Sequence, residues 1–421
     1  MDTIFALATA RAKAGVAIVR VSGPEAVTTA GALCDVPDPR RPALRTLRHN
    51  GETIDRALVL RFAEGGSFTG EEVVELHLHG APVIADRVMA VLEGQGTRPA
   101  EPGEFTRRAL LNGRMDLLEV EGLGDLLEAE TDLQRRQAMR TMGGEAQDAL
   151  AAWRATLVRA LAHCEASLEF ADDDVPEDVT PTVRSLIDEV LAQIASERAG
   201  LPAAERLRDG FTIAILGAPN AGKSTLINAL SGREAAIVTD VPGTTRDAID
   251  VPFDLAGLPV TFVDTAGIRA TDDPVERLGV ERSRAVADRA DLRLYLGKVT
   301  EDMPPPRPGD ILTRSKADIE PGPDAVSGLT GEGLDHLLDR VAAVLSERTA
   351  TPSLFARRRQ SVLLEAIERS LKDALGSLPI DALELTAQHL WEAVTEMDRL
   401  LGRTDHEAVL DDLFAGFCIG K

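Results

Sequence analysis

The sequence predicts a multidomain α+β and α/β fold, and three observations carry that prediction. A chain of 421 residues, 44% hydrophobic, has material for two or three separately cored domains. The hydrophobic period changes near residues 117, 211 and 349. Gly217-Ala-Pro-Asn-Ala-Gly-Lys-Ser-Thr225 lies between a strand-like run and a helix-like one, as a strand–loop–helix unit requires. The predicted division is 1–118 as an α+β domain, 119–209 plus 349–421 as one helical domain, and 210–348 as an α/β domain inserted in it. The inserted domain should carry a mainly parallel sheet.

In chain order, Val16–Val21 stops at Ser22-Gly-Pro, Ala57–Phe62 stops at Glu64-Gly-Gly, and Val73–His79 alternates with period two before Gly80. Such runs bounded by Gly and Pro read as strands. Ala81–Glu93 reads as a helix. From Leu117 a helical pattern begins, and Leu157, Leu161, Cys164 and Leu168 form one apolar helix face. Asp172–Val179 reads as an acidic, solvated loop. Helical texture resumes from Val183 to about Ala203. Phe211–Leu216 and Leu258–Val263 read as buried strands. After Thr351-Pro, three stripes follow: Leu364, Ile367, Leu371 and Leu375; Leu390, Val394, Met397 and Leu401; Val409, Leu413 and Phe417.

The formal net charge is −23. Residues 1–118 are close to neutral at −1, 119–210 carry −11, 211–348 carry −7 and 349–421 carry −4. A general polyanion binder would need Lys and Arg in excess. With only 11 Phe, 2 Trp and 1 Tyr, the chain lacks the rings of a base-stacking single-strand binder. Three cysteines, Cys34, Cys164 and Cys418, form no CxxC pair, which fits a reducing compartment. An acid at Asp2 and basic residues placed after the apolar stretch are the wrong order for a secretory signal. No run is long enough to span a membrane, so a cytoplasmic location is expected.

The Gly217–Thr225 loop fits GxxxxGK[ST] in its proper context. Backbone N–H groups of Asn220, Ala221, Gly222, Lys223, Ser224 and Thr225 can face phosphate oxygens, aided by the helix N-terminus. Lys223 can reach the terminal phosphates and the Ser224 hydroxyl can bind Mg²⁺. The second strand ends in Asp264-Thr265-Ala266-Gly267, placing a carboxylate for Mg²⁺ and an N–H that can sense a γ-phosphate. Between them, Thr239–Asp247 offers a threonine able to complete the Mg²⁺ shell only with a triphosphate present, which makes a switch. Ser315-Lys316-Ala317-Asp318 is a K-x-D at a strand end. The Asp318 carboxylate can accept from both the ring N–H and the exocyclic amine of guanine, and Lys316 can lie along the ring. The loop from Ser327 can close over the base. The bound nucleotide is therefore expected to be GTP. Ile268 stands where Ras-type GTPases place a water-orienting glutamine, so hydrolysis needs another group or ion.

The chain's last four residues are Cys418-Ile-Gly-Lys421. Cys418 reads either as a buried small hydrophobe, the commoner role, or as a nucleophile with a lowered pKa beside a cation. His77 and His79 share a strand face, with no third metal ligand evident.

Taken together, these motifs resemble the MnmE (TrmE) family of bacterial tRNA-modification GTPases, within the TrmE-Era-Septin-like P-loop class. The resemblance is nearly full length. It rests on the P-loop, Gly243-Thr-Thr-Arg-Asp247, DTAG before an aliphatic residue, and the terminal Cys-Ile-Gly-Lys. Ser67–Leu76 and Arg98–Ala109 also look like the family's N-terminal domain. The resemblance implies a tetrahydrofolate-binding and dimerisation domain at 1–118 and a Ras-like GTPase domain at 210–348. It implies joint action with the flavoprotein MnmG, in a heterotetramer, on carbon 5 of the tRNA wobble uridine. An aminomethyl or carboxymethylaminomethyl group is added from a one-carbon tetrahydrofolate derivative, FAD entering only through the partner. By matching position, Arg20, Glu75, Arg114 and Lys421 are the folate contacts, with arginine at 114 a departure if lysine is usual.

The resemblance also implies K⁺ held by Asn220, Thr239, the Val241 carbonyl and Thr244, and Mg²⁺ held by Ser224 and Thr245. Glu276 is implied as the residue that orients water through a bridge, and Cys418 as a functional candidate. Ser315 departs from the asparagine common in N-K-x-D, and Gly328 from the usual alanine, a change expected to be mild. Three readings follow. One is a GTP-driven tRNA-modifying subunit. Another is a GTP-gated RNA or ribosome-assembly factor, which would need a basic domain. In the third, hydrolysis is only a conformational clock and MnmG performs the chemistry.

Overall fold

Alternation in Val16–Ser22 (β2) sends Ala17, Val19 and Val21 to one side and Ile18 and Arg20 to the other. That period-two pattern builds the first sheet in the computed structural model. The structure describes all residues except 170–177, 234, 237–249, 266–283, 350, 379–381, 404–413, 415–416, 418–419 and 421, and the backbone alone at 250 and 251. It divides into two units, Met1–Gly124 with Asp398–Lys421, and Asp125–Met397.

The first unit holds a six-stranded sheet in the order β3-β4-β5-β2-β1-β6, formed by Ile4–Leu7 (β1), β2, Ala43–His49 (β3), Glu52–Phe62 (β4), Val73–His79 (β5) and Arg98–Pro99 (β6). All pairings are antiparallel except β1 with β6. One face packs on Ala26–Gly31 (α1) and Pro82–Glu93 (α2), burying Val19, Val21, Val59, Val74, Leu76 and Val88. The other face meets Glu104–Leu111 (α3) through Phe105, which packs with Ile4, Ala6 and Ala100. Leu117–Glu128 (α4) begins the helical region, and its Leu117 and Val120 pack with Phe414 and Phe417 near the chain end.

Two motifs singled out in the sequence, Ser67–Glu75 and Arg98–Ala109, meet at Arg108. Its guanidinium donates to Glu71, Glu104, Asp2 Oδ1 and the Asp2 carbonyl at 2.6–3.2 Å. A buried arginine needs such compensation, and here it comes from four acceptor groups.

In the second unit, Asp132–Met142 (α5) starts at a capping box, with the Thr131 hydroxyl accepting from Gln134 N. Glu145–Glu169 (α6) and Thr180–Asp209 (α7) pack along one another, and Trp153 Nε1 donates to Gln193 Oε1 at 2.6 Å. The latter helix outruns the expected Val183–Ala203, because Ala204 and Leu207 continue its buried stripe past Pro202. The expected acidic loop lies mostly outside the described residues. Only Gly210 separates this helix from Phe211–Leu216 (β7).

The second sheet has the order β12-β11-β10-β7-β9-β8, with Asp250–Leu255 (β8), Leu258–Asp264 (β9), Leu292–Leu296 (β10), Ile311–Ser315 (β11) and Ala325–Val326 (β12). It is parallel except where β8 runs against β9. Lys223–Ser231 (α8) and Leu334–Arg348 (α9) bury leucines against it. Arg358–Gly376 (α10) and Leu383–Leu400 (α11) follow; they carry the predicted stripes at Leu364, Ile367 and Leu371 and at Leu390, Val394 and Met397. Val409 and Leu413 of the third stripe lie outside the described residues. No described helix is long and apolar enough to cross a membrane.

Candidate functional site

The central strand of the second sheet, β7, is buried and delivers residues 217–222 to its carboxyl end, where open parallel sheets place ligands. Helix α8 starts at Lys223 behind Gly222, so its unbonded first-turn N–H groups face that end. Lys223 is 8% exposed, and Nζ donates to the Gly217 carbonyl at 3.0 Å and the Ala218 carbonyl at 3.3 Å. Burial pushes its pKa down, and the Asp264 carboxylate works in the opposite direction.

Parallel pairing of β7 with β9 sets Ile215 opposite Asp264. Thr265 Oγ1 donates to the Ile215 carbonyl at 2.5 Å and pins that strand end. Ser224 Oγ donates to Asp264 Oδ2 at 2.9 Å, while the buried Oδ1 has no hydrogen-bond partner among the described residues. A hydroxyl and a carboxylate with a spare buried oxygen form a hard-oxygen donor set, which fits Mg²⁺. Asn220 is exposed at the mouth with φ +63°.

At the other end, Lys316 takes φ +61° directly after β11 and Asp318 is exposed. Ala317 N donates to the Val326 carbonyl at 3.2 Å, tying the K-x-D segment to β12. Ser327 is buried, and its Oγ accepts from the N–H groups of Leu329 and Thr330, both at 3.2 Å. One cleft of about 520 Å³ joins the two ends. It brings together Asn220, Ala221, Gly222, Lys223, Ser224 and Thr225 with Ser315, Lys316, Asp318 and Ser327. Asp264 adjoins it through the bond from Ser224, and Thr265 is the next residue in the chain. Thr239, Val241, Thr244, Thr245, Ala266, Gly267 and Glu276 lie outside the described residues.

The cleft also contains Leu296 and Ile319, which the motif reading missed, and Leu226, Val326 and Leu329, which lie in its helix start and its base-covering loop. Ile319 and Leu329 are 70% and 79% exposed. Exposed aliphatic residues immediately after K-x-D and inside a Gly-rich loop were the available signal.

In the first unit, the β2–β5 register sets Arg20 opposite Glu75 and Ile18 opposite His77. Arg20 Nε donates to Glu75 Oε1 at 2.9 Å, and His77 Nε2 lies 3.3 Å from Glu75 Oε2. The Arg20 guanidinium carbon stands 5.5 Å from the Phe105 ring centroid, a cation–π contact. Arg20 Nη1 also donates to the Gly420 carbonyl at 3.3 Å. A Cβ at Gly420, where φ is +100°, would lie 2.5 Å from the Leu7 carbonyl oxygen, so only glycine fits there. Arg114 packs its stem on Gly70, beside Thr69, whose hydroxyl lies 2.8 Å from that of Ser22. Lys421 and Cys418 lie outside the described residues. His79 Nδ1 lies 2.7 Å from Asp55 Oδ1, and no metal-ligand group of three His, Cys, Asp or Glu occurs among the described residues. Burial pushes the Cys34 and Cys164 thiols up to about 11, the range of inert cysteines.

Comparison with known proteins decides the family. The family model described as MnmE helical domain matches residues 117–418, and the one described as GTP-binding protein TrmE N-terminus matches residues 3–114. The tRNA modification GTPase MnmE of Cereibacter sphaeroides is 51% identical over 438 aligned positions, covering 100% of both chains. The chain belongs to the MnmE family of tRNA modification GTPases. The MnmE proteins of Paracoccus denitrificans and Roseobacter denitrificans are 50% and 47% identical, again covering 100% of both chains. A solved structure of Aquifex aeolicus Era bound to GDP.AlF4- is 23% identical, covers 38% of this chain and 66% of its own, and gives a TM-score of 0.25. The MnmE likeness spans the N-terminal and helical regions as well as the nucleotide cleft.

Proposed function

We propose that this chain hydrolyses GTP to drive modification of carbon 5 of the tRNA wobble uridine, together with the flavoprotein MnmG. The full-length likeness to MnmE proteins carries this reading. In it, the 217–225 loop holds the phosphates by backbone N–H groups, and Lys223 turns from the loop carbonyls to the terminal phosphates. Asp318 reads guanine. Ser224 and Thr245, with Asp264 in support, would hold Mg²⁺, which would supply positive charge against the phosphates. Ile268 cannot hydrogen-bond, so Glu276 orients the attacking water. Asn220, Thr239, the Val241 carbonyl and Thr244 would hold K⁺, which would supply positive charge in place of an arginine finger.

In the first unit, Arg20, Glu75, Arg114 and Lys421 hold the tetrahydrofolate one-carbon donor. Their chemistry supports this: a carboxylate suits a heterocycle's N–H groups, and guanidinium forks suit the donor's carboxylate tail. The chain works in the cytoplasm as a homodimer within a heterotetramer with MnmG, which brings FAD and most of the tRNA grip. The three-part division at 118, 209 and 348 belongs to the same reading.

Deleting residues 418–421 should spare GTP hydrolysis and abolish the modification. Nucleoside mass spectrometry of tRNA from a strain carrying only the shortened chain checks this. Normal wobble uridines there would reject a role for the tail.

A further inference from the structure

The Ser327 loop is internally hydrogen-bonded and lines the nucleotide cleft with the phosphate and base ends. Besides the two bonds to Ser327 Oγ, Ser327 N donates to the Glu332 carbonyl and Gly331 N to the Ser327 carbonyl, both at 2.9 Å. These four bonds tie the loop into one hydrogen-bonded unit. On the strand side it is held through β12, where Ser315 pairs with Val326. The Ser315 hydroxyl makes no hydrogen bond among the described residues, whereas an asparagine carboxamide there would add reach, two donors and an acceptor.

On the helix side the loop touches α8 directly. A Cβ at Gly328 would lie 2.7 Å from Leu226 N, 2.7 Å from the Thr225 carbonyl carbon and 2.8 Å from its oxygen. Those are backbone atoms of the first turn of α8, which cannot swing aside.

We propose that Gly328 is a positioning residue for guanine recognition. Its missing side chain lets the Ser327 loop rest on the first turn of α8, a brace that takes over from the asparagine this chain lacks at 315. The consequence is a mechanical link between phosphate and base ends. The Thr225–Leu226 turn carries the loop, the loop carries β12, and β12 fixes Asp318 through the bond from Ala317 N. Alanine at 328, expected from the sequence to be a mild difference, is thereby excluded unless the loop backs away. This inference rests on the cleft being a guanine-nucleotide site.

The test uses the full-length chain and a fluorescent GDP analogue, with displacement by GDP or by inosine diphosphate, which lacks the exocyclic amine. Gly328→Ala should speed GDP release about tenfold and erode the preference for GDP over inosine diphosphate. Adding Ser315→Asn to that variant should bring release back to within about threefold of wild type, as one regained hydrogen bond allows. Wild-type release from Gly328→Ala, or no slowing by Ser315→Asn in that background, would overturn the proposal. If Gly328→Ala does not fold by circular dichroism, Ser327→Ala, which frees the Leu329 and Thr330 N–H groups and loosens the same loop, decides: faster GDP release supports the proposal and unchanged release overturns it. Failure of the wild-type chain to bind GDP at all would instead overturn the reading of the cleft.

Discussion

Ile268 sets the central problem at the residue scale, because a carbon side chain follows DTAG where hydrolysis needs a hydrogen-bonding group or charge. Among the residues matched to a K⁺ site by resemblance, Asn220 is the one that is described. It is exposed, lines the cleft and holds φ +63°, a conformation asparagine tolerates better than most residues. If its side chain helps hold K⁺, hydrolysis should be much faster in K⁺ than in Na⁺, and Asn220→Ala should remove about tenfold or more of the K⁺ rate. Phosphate release measured in the two salts checks this, and equal rates would sink the ion mechanism. The motif residues were legible because phosphate and guanine impose residue types at fixed spacings. Leu296 and the Arg20–Phe105 contact were not, since each arises only when distant segments meet.

At the scale of elements, Asp116 shows how a helix start can carry pH dependence. Its Oδ1 accepts from Glu119 N at the start of α4, while the buried Oδ2 has no hydrogen-bond partner among the described residues. Burial, joined by repulsion from Glu119 and opposed by Arg403, pushes its pKa up to about 6 from 3.8. A carboxyl whose folded pKa is raised favours folding while protonated, so that contribution is full below about pH 4 and lost as pH rises through about 6. Asp116→Asn keeps the cap and removes the titration. Its stability advantage over wild type should grow by about 2–3 kcal/mol between pH 4 and pH 7. Urea melts at the two pH values test this, and a constant difference would contradict it.

Strand legibility divides along the same physical line. Val16–Ser22 and Val73–His79 alternate cleanly and were predicted, whereas Ala43–His49, an edge strand with two arginines and few buried positions, gives no apolar run to read. Asp250–Leu255 is also an edge strand and contains Pro252, a residue edges tolerate. The Arg20–Glu75 pair depends on strand register, which periodicity alone leaves open.

Across the whole molecule, a net charge of −23 is compatible with a tRNA-modifying role if a partner supplies most of the cationic surface. Arg20, Glu75 and Arg114, three of the four residues proposed to hold the one-carbon donor, fall in the nearly neutral 1–118 block, while the acidic 119–348 stretch contains the nucleotide cleft. The most direct measurement is nucleoside mass spectrometry of total tRNA from a strain lacking the whole chain. Loss of aminomethyl and carboxymethylaminomethyl groups at the wobble uridine, restored by the wild-type chain, is the predicted result. Unaltered wobble uridines in that strain would contradict it.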